Sequence, residues 1–375
     1  MRTKTIGLVA AILVVGLLAP AAVAADAQTV GEPTCDYPLT LEADATGETV
    51  TLEDEPERVV ALAPSDAQTV IEIGAEDRLV GMPQTEYTER LDPPDVPDVT
   101  ADDGFTTDVE VVVATEPDVV IAASAISAED VETLREHGLT VYHFEDEASI
   151  DDVLAHVAIT GQLTGECDGA AATVEWMDDR IAVLESAVED VEHPLAYYAM
   201  PFGWTAGDET FQNELIELAG LENLAVDIGI VGWAEISEED VVEADPSWIV
   251  YEDETGEGTP PIAESVEATT AFQSEQFASV HPNDFNQPAP RIVYAVEQIL
   301  EDAHPDAHAA VADELQAVDD AREAAAGANG DDAPGEDDAT GDDGADDGDE
   351  VIPGFGVAVA LVAVLTALVA LSRRR

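Results

Sequence analysis

The sequence predicts an α/β protein of two lobes, each built on a central and mostly parallel sheet, with one long rigid α-helix bridging them. Three observations predict this fold. Short apolar runs alternate with helical segments over residues 35–165, and the same alternation returns over residues 191–312. The intervening residues 166–190 form the predicted inter-lobe helix. The remaining segments are predicted as a signal peptide at 1–25, an acidic disordered stalk at 313–350 and a membrane anchor at 351–375.

The N-terminal lobe opens with a hairpin signal, because residues Tyr37–Glu53 alternate around ADATGE. The stretch RVVALAPSDAQTVIEIGAEDRLVG then has the pattern strand, helix, strand, and such units are parallel and right-handed. Glycine or proline ends each helix of the lobe. The predicted elements are strands at Val59–Leu62, Leu79–Gly81, Asp118–Ala122 and Thr140–Phe144, and helices at Ala67–Ile73, Val109–Thr115 and Ala128–His137.

The inter-lobe helix is predicted from apolar residues that recur every three or four positions between Ala170 and Val188, namely Val174, Met177, Ile181, Leu184 and Val188. Neither proline nor glycine follows Gly169 within it. We therefore expect a stiff rod. A core helix at the edge of one lobe would show the same periodicity, which does not separate the two interpretations.

The C-terminal lobe repeats the pattern of the first. Its predicted elements are strands at Leu195–Ala199 and Trp248–Tyr251 and helices at Phe211–Ala219, at Val241–Ala244 and from Pro290 onward. Two phrases underline the repetition: EVVVATEPDVVI begins at Glu110, and EDVVEADPSWIV begins at Glu239, 129 positions later. Each has a proline seven residues after its glutamate. We expect the two phrases to occupy equivalent places in the two lobes.

The composition predicts a surface made for concentrated salt. Acidic residues outnumber basic ones by 83 to 12, and Lys4 is the only lysine. Apolar periodicity is retained among the acids, so most of the chain is expected to fold, and molar salt would screen the repulsion. No basic stripe is available to neutralise phosphates, which excludes nucleic acid as a partner.

The two ends predict an extracellular, membrane-anchored protein. The leader carries Arg2 and Lys4, an apolar run and small residues before the expected cut near Ala24. The apolar span Val357–Leu371, followed by three arginines, is expected to serve as a membrane anchor. In this oxidising compartment Cys35 and Cys167 are expected to form a disulfide, with two buried thiols as the alternative.

The C-terminal tail resembles the PGF-type sorting signal of archaeal surface proteins. The motif stands here as Pro353-Gly354-Phe355, before the apolar span and the arginines. The resemblance implies cleavage by an archaeosortase, with a lipid replacing the span. A plain stop-transfer anchor is the alternative that charge pattern alone supports.

The body of the chain resembles the class III substrate-binding proteins of ABC importers, the iron-siderophore and cobalamin-binding type. The resemblance covers about residues 53–304 and rests on five segments in the family's order. They are PERVVALAPSDAQTVIEIGAEDRLVG, EVVVATEPDVVIA, TAGDETFQNELIELAGLENLAVD, ISEEDVVEADPSWIV and PAPRIVYAVEQIL. It implies two α/β lobes bridged by one helix, a small-molecule ligand in the cleft between them, and permease and ATPase subunits as partners.

The resemblance also implies roles for individual residues. Glu110 and Glu239 match the glutamates with which cobalamin-binding relatives dock into arginines of the permease. The alternative is helix capping, by Thr107 with Glu110 and by Ser237 with the acids after it.

Aromatic residues are expected to line the cleft. Trp204, Trp233 and Phe285 match aromatic positions of the family, while Tyr87 and Phe105 lie on loops after strand ends, where α/β sheets bind ligands. Core packing is the alternative for each of the five. Flat rings suit a large, partly apolar ligand.

The predicted ligand is a corrinoid of the cobalamin type, in preference to an anionic ferric chelate. Gln287 stands where cobalamin binders carry a cation, and the only arginines near candidate surfaces are Arg78, Arg90, Arg135 and Arg291. A zinc or manganese importer and a non-transport surface protein remain alternatives, although the histidines are scattered. Neither a catalytic motif nor a cofactor motif is present, so we predict a protein without enzymatic activity, cofactor or resident metal.

Overall fold

Two four-stranded parallel sheets form the framework of the chain. The computed structural model describes residues 34–329 except 102, 103, 105, 254, 256 and 257. The strands are β1 Leu39–Ala43, β2 Thr49–Leu52, β3 Val59–Ala61, β4 Leu79–Gly81, β5 Val119–Ala122, β6 Val141–His143, β7 Leu195–Ala199, β8 Trp204–Ala206, β9 Glu222–Asn223, β10 Trp233–Glu235, β11 Trp248–Glu252 and β12 Phe277–Val280.

The helices pack on both faces of these sheets. They are α1 Pro64–Glu72, α2 Val109–Ala114, α3 Ala128–Glu136, α4 Ile150–Thr164, α5 Cys167–Val188, α6 Phe211–Leu218, α7 Leu224–Asp227, α8 Glu238–Ala244, α9 Thr270–Gln273, α10 Pro282–Phe285, α11 Ile292–Ala303 and α12 Pro305–Asn329. Within the described part of the chain, none of them has the length and hydropathy needed to cross a bilayer.

The two sheets have the same strand order. It runs β4-β3-β5-β6 in the N-terminal lobe and β9-β7-β11-β12 in the C-terminal lobe, and all the pairings are parallel. In each lobe the third strand therefore lies between the first and the fourth. The predicted two-lobe α/β fold is confirmed.

The repeated phrases occupy equivalent places in this framework. α2 precedes β5 in one lobe and α8 precedes β11 in the other, and both strands are central in their sheets. Each helix is followed by a residue in the left-handed conformation directly before a proline, Glu116 at φ 48° and Asp245 at φ 49°. A residue before proline avoids the right-handed helical region, so both helices end within one residue of the same point of the phrase.

The long helix α5 joins the lobes, as the sequence predicts. It packs against α4 of the first lobe and against α6 and α11 of the second. Its start lies close to the end of α1: a Cβ on Gly169 would lie 1.9 Å from the carbonyl oxygen of Ile73, and the Thr173 hydroxyl donates to the Glu72 carbonyl at 3.2 Å. Only glycine permits that approach. Cys35 is disulfide-bonded to Cys167 at the first turn of α5.

The predicted start of the disordered stalk at residue 313 is wrong, because residues 305–329 form α12. Val311 and Leu315 are buried against the main core, and Val318 packs on it. These apolar positions recur at helical spacing among acidic residues. Further along the helix, Asp319 bonds to the buried Arg180 of α5, so α12 is a packed element of the body.

Several predictions fall outside the described residues. They are the signal peptide at 1–25, the side chain of Phe105, the stalk beyond residue 329, and the anchor at 351–375 with its Pro353-Gly354-Phe355 motif. The sequence analysis also missed several elements. They are helices α4, α7, α9 and α10, strands β9 and β12, and the short antiparallel ribbon of β8 and β10.

Candidate functional site

The carboxyl ends of the two sheets approach each other, which places a candidate ligand site between the lobes. The loop after β4 meets the loop after β12, where the Asn283 side-chain amide donates to the Tyr87 carbonyl at 3.3 Å. The Gln68 amide on α1 donates to the Gln287 amide oxygen at 3.1 Å. Ligands of α/β sheets bind at the carboxyl ends of the strands.

Trp204 and Trp233 form an aromatic surface on the C-terminal lobe. They lie on the ribbon of β8 and β10, in which Trp233 pairs with Ala206 and Glu235 pairs with Trp204. Paired residues point to the same face of a ribbon, as do residues two apart, so both indole rings share one face. They are 41% and 43% exposed, which is high for residues of this size. The ribbon thus presents two flat rings to a ligand.

The other predicted aromatic residues have different surroundings. Tyr87 is 38% exposed on the loop that meets the second lobe. Phe285 is fully buried, because the loop after β12 closes into the turn α10, and its ring packs on Tyr198 at 5.0 Å. The prediction that Phe285 faces an open cleft is therefore wrong in this structure.

Tyr198 was missed by the sequence analysis. Its ring lies between those of Phe285 and Trp233, with the centroid of Trp233 6.3 Å away, and it supports the exposed indole from behind. Its hydroxyl donates to Glu252 at the end of β11, and burial with that carboxylate raises the Tyr198 pKa well above its usual value. The sequence offered one signal for Tyr198, which is its position near the end of a predicted strand.

A buried charged cluster underlies the carboxyl edge of the N-terminal sheet. His156 of α4 lies 2.7 Å from a Glu147 oxygen and 3.5 Å from an Asp66 oxygen, and the Phe144 ring stacks on its imidazole at 3.6 Å. Burial alone lowers the pKa of His156, but the neighbouring carboxylates of Asp66 and Glu147 outweigh it and raise the pKa to about 9. Asp66 also accepts the backbone amides of Ala63 and Ala123, which follow β3 and β5.

Every arginine in the described part of the chain bonds to an acceptor of the protein itself, and lysine is absent there. The partners are the Thr115 and Glu116 carbonyls for Arg58, Glu55 for Arg78, Asp284 for Arg90, Asp44 for Arg135, Glu297 and Asp319 for Arg180, Glu72 and Asp284 for Arg291, and Glu72 for Arg322. Six of the seven described arginines are paired with carboxylates, and Arg58, held by two main-chain carbonyls, directly precedes β3 and so lies at the amino edge of its sheet, away from the candidate site.

Five of these charged groups form a chain that crosses between the lobes. Arg322 of α12 lies 2.7 Å from Glu72 of α1, and Glu72 lies 3.2 Å from Arg291 at the start of α11. Arg291 lies 3.3 Å from Asp284, which also pairs with Arg90 of the first lobe. Positive and negative side chains alternate along this chain and attract one another. They hold both lobes to α12 on one side of the candidate site.

The two candidate docking glutamates have matching local structure. Glu110 and Glu239 are each the second residue of a short helix, and both are exposed. The caps are Asp108, which accepts the Val111 amide, and Ser237, which accepts the Asp240 amide. The alternative capping box of Thr107 with Glu110 does not form. Neither glutamate forms a hydrogen bond or ion pair within the described residues.

Within the described residues, no group of three or more His, Cys, Asp or Glu side chains is arranged to hold a metal ion. Three of the histidines form local contacts: His193 and His304 bond to the carbonyls of Val188 and Gly220, and His308 to Glu297.

Comparison with known families gives two matches along the chain. The family described as "Periplasmic binding protein" matches residues 59–279, and the PGF-CTERM motif matches residues 352–375. The first match covers both sheets and the long helix between them. The second covers the apolar tail and the arginines after it.

Individual relatives share most of the chain's length. The "Cobalamin-binding protein" of Halobacterium salinarum is 38% identical over 299 residues, which cover 77% of this chain and 80% of the relative. The "Uncharacterized ABC transporter substrate-binding lipoprotein YvrC" of Bacillus subtilis is 25% identical over 279 residues, 72% of this chain and 87% of its own.

A solved structure shares the fold. The periplasmic heme-binding protein RhuT from Roseiflexus sp. RS-1, in its apo form, superposes with a TM-score of 0.57 at 20% identity. The match covers 66% of this chain and 99% of RhuT. At this identity the likeness concerns the architecture of the two lobes, and it carries no information on the ligand.

Proposed function

The chain belongs to the periplasmic binding protein family and is a substrate-binding protein of an ABC importer, and we propose that its ligand is a cobalamin-type corrinoid. The PGF-CTERM motif makes it an extracellular protein anchored at the cell surface. In the proposed role it captures a scarce corrinoid between its lobes and delivers it to the permease. The named ligand of the 38% identical relative supports this choice.

The choice of ligand rests on the arginines, because every described arginine already bonds to an acceptor of the protein itself. An anionic ferric chelate or heme needs cations to offset its charge on desolvation. The candidate site offers instead two exposed indoles and a set of amides and carboxylates. A corrinoid has a broad apolar face for ring contacts and carboxamides that hydrogen-bond to neutral or acidic groups.

Equilibrium titration of the full-length protein in molar KCl tests the ligand. We expect saturable binding of cyanocobalamin with a Kd of about 1 µM or below, and binding of hemin at least about 10-fold weaker. Tryptophan fluorescence quenching and a difference absorption spectrum report both ligands. Tighter binding of hemin than of cyanocobalamin would overturn the proposed ligand class.

We propose further that Glu110 and Glu239 dock the protein to the permease, one glutamate for each lobe. Their equal positions on α2 and α8 supply two carboxylates related by the internal repeat, and neither is used within the described structure. Charge-assisted contacts of this kind favour register and encounter rate.

Charge reversal tests the docking role. In cells that carry Glu110→Arg with Glu239→Arg, we expect cyanocobalamin uptake to fall at least about 10-fold, while the purified variant binds the ligand as the parent protein does. The matched control reverses Glu129 and Glu222, which are also exposed acids on the two lobes and lie outside the proposed docking face. Unchanged uptake in the docking variant would refute the role.

Membrane attachment is proposed to follow archaeosortase cleavage at the tail, with the motif Pro353-Gly354-Phe355 as the recognised element. Substitution Phe355→Ala should then leave the apolar tail uncleaved. Intact-mass spectrometry of the membrane-extracted protein distinguishes a lipidated, shortened chain from a full-length one. A shortened chain in the variant would speak against this role for the motif.

A further inference from the structure

A cavity of about 360 Å³ opens beside α8 on the C-terminal lobe. Its apolar wall is formed by Phe202, Ile236, Val241, Ile262 and Val266, and Glu238 lies at its margin. The wall comes from the loop after β7, the start of α8 and the loop after β11. The cavity therefore opens at the carboxyl edge of the sheet, where Glu239 is the next residue along α8.

A hydroxyl group in the cavity wall has no partner in the described part of the protein. Tyr197 is 4% exposed, and its hydroxyl forms no hydrogen bond with another described residue. Burial, and to a smaller extent Glu238, raises the pKa of this phenol to about 12, so it remains a hydrogen-bond donor. The hydroxyl oxygen is not among the fully buried polar atoms that lack a partner, so water in the cavity reaches it, and an acceptor on a bound group can replace that water.

The charge around the cavity selects the partner. Glu238, Glu239 and Asp240 lie on one side, and Glu264 and Glu267 on the other, and all five are exposed. The single arginine of the C-terminal lobe, Arg291, bonds to Glu72 and Asp284 instead. An apolar cavity with an acidic rim fits an apolar side chain carried beside a lysine or arginine.

We propose that this cavity is a second docking element for the permease, in which an extracellular permease loop inserts an apolar side chain that is flanked by a basic residue. A main-chain carbonyl of that loop accepts the Tyr197 hydrogen bond, and the basic residue meets the acids of the rim. The inference rests on the proposed function, since it adds a cavity to the contact proposed for Glu239. Phe202, which is 93% exposed, covers the outer side of the inserted group.

Site-specific photo-crosslinking tests the proposal without reference to the ligand. Both native cysteines are bonded to each other, so an introduced cysteine is the only free thiol among the described residues. We would label Ile262→Cys, Glu239→Cys and Glu222→Cys with a membrane-impermeant benzophenone maleimide, on cells that display the full-length protein. Glu222 is exposed at the amino end of β9, on the opposite edge of the same sheet, and serves as the control.

Mass spectrometry of the cross-linked peptides decides the outcome. We expect Ile262→Cys and Glu239→Cys to cross-link to an extracellular peptide of an ABC permease subunit, with an apolar residue next to a basic one, and Glu222→Cys to give none. Adding Tyr197→Phe should lower the Ile262 yield about 3- to 10-fold, the effect of one hydrogen bond.

The remaining outcomes each contradict a defined claim. Permease cross-links from position 239 but not from 262 would overturn the cavity and leave the glutamate contact intact. Cross-links from 262 to a second copy of this chain would overturn the cavity in favour of self-association. Permease cross-links from neither position would overturn the whole docking face, while the cyanocobalamin titration judges the ligand separately.

Discussion

At the scale of single residues, the paired indoles of Trp204 and Trp233 are the groups best placed to hold a flat ligand. We expect Trp204→Ala and Trp233→Ala each to weaken cyanocobalamin binding about 10-fold or more, because a large aromatic contact is lost from a desolvated site. Fluorescence or absorbance titration in molar KCl measures the change. Val242→Ala, which shortens an exposed apolar side chain on α8, is the control and should leave the Kd unchanged. Wild-type affinity in both tryptophan variants would remove the ribbon from the site.

The buried histidine gives a pH dependence of stability. The pKa of His156 is about 9 in the folded protein, against about 6.5 when unfolded, so its contribution is complete below pH 6.5 and is lost as the pH rises through 9. The loss is on the order of 3 kcal/mol. We expect the unfolding free energy, measured with denaturant at fixed salt, to fall between pH 6.5 and pH 9.5.

The substitution His156→Gln provides the check on that assignment. It removes the titrating group, so the fall over this pH range should become smaller, although the variant is less stable at pH 6.5 because two buried carboxylates lose their cation. An equal pH dependence in parent and variant would assign the effect to other groups.

The sequence predicted some of the candidate site, and the reasons for its failures are physical. Trp204 and Trp233 were identified and lie exposed on one ribbon, but the ribbon itself was missed because its strands have three residues each. Phe285 matched the family's pattern, yet local packing against Tyr198 buries it. The arginine partners were beyond prediction, since they join residues as far apart in sequence as Glu72 and Arg322.

At the scale of secondary-structure elements, the predictions that succeeded were made from apolar runs and from the glycine or proline that ends each helix. The four strands of the N-terminal sheet, strands β7 and β11 of the C-terminal sheet, and helices such as α2 and α3 lie within one or two residues of their predicted bounds, whereas β9 and β12 were not predicted. The prediction missed α12 because alanines and acids separate its few large apolar residues, although Val311, Leu315 and Val318 recur at helical spacing. Its tertiary partner, the buried Arg180 on α5, lies 139 residues away from Asp319.

Helix α12 should therefore contribute to the stability of the body. The Arg180 side chain is fully buried, and Asp319 holds it with two contacts of 2.7 Å. We expect Asp319→Ala to lower the unfolding free energy by about 3 kcal/mol, because it leaves a buried charge short of a partner. Denaturant unfolding at constant salt measures the loss.

The neighbouring residue supplies the matched control. Asp320 is exposed, so Asp320→Ala should change the unfolding free energy by no more than about 0.5 kcal/mol. Equal effects of the two substitutions would mean that α12 is not held through Arg180.

At the scale of the whole molecule, the net charge of −71 makes folding dependent on salt. The Debye length falls from about 10 Å at 0.1 M to about 3 Å at 1 M, so repulsion between surface acids is largely screened by 1 M. We expect the Tm, followed by circular dichroism, to rise with KCl and to gain most of its increase below 1 M. A Tm that rises only above 1 M would implicate salt effects on apolar burial instead of charge screening.

Helix α12 also lies on the path by which a mechanical force from the membrane anchor reaches the body of the protein. It follows the C-terminal lobe at Pro305, and its Arg322 bonds to Glu72 of the N-terminal lobe. A pull at its far end, toward the anchoring tail, is thus shared by both halves and by the rod between them. We therefore expect drag on the displayed protein to leave the two lobes together and the width of the opening between them unchanged.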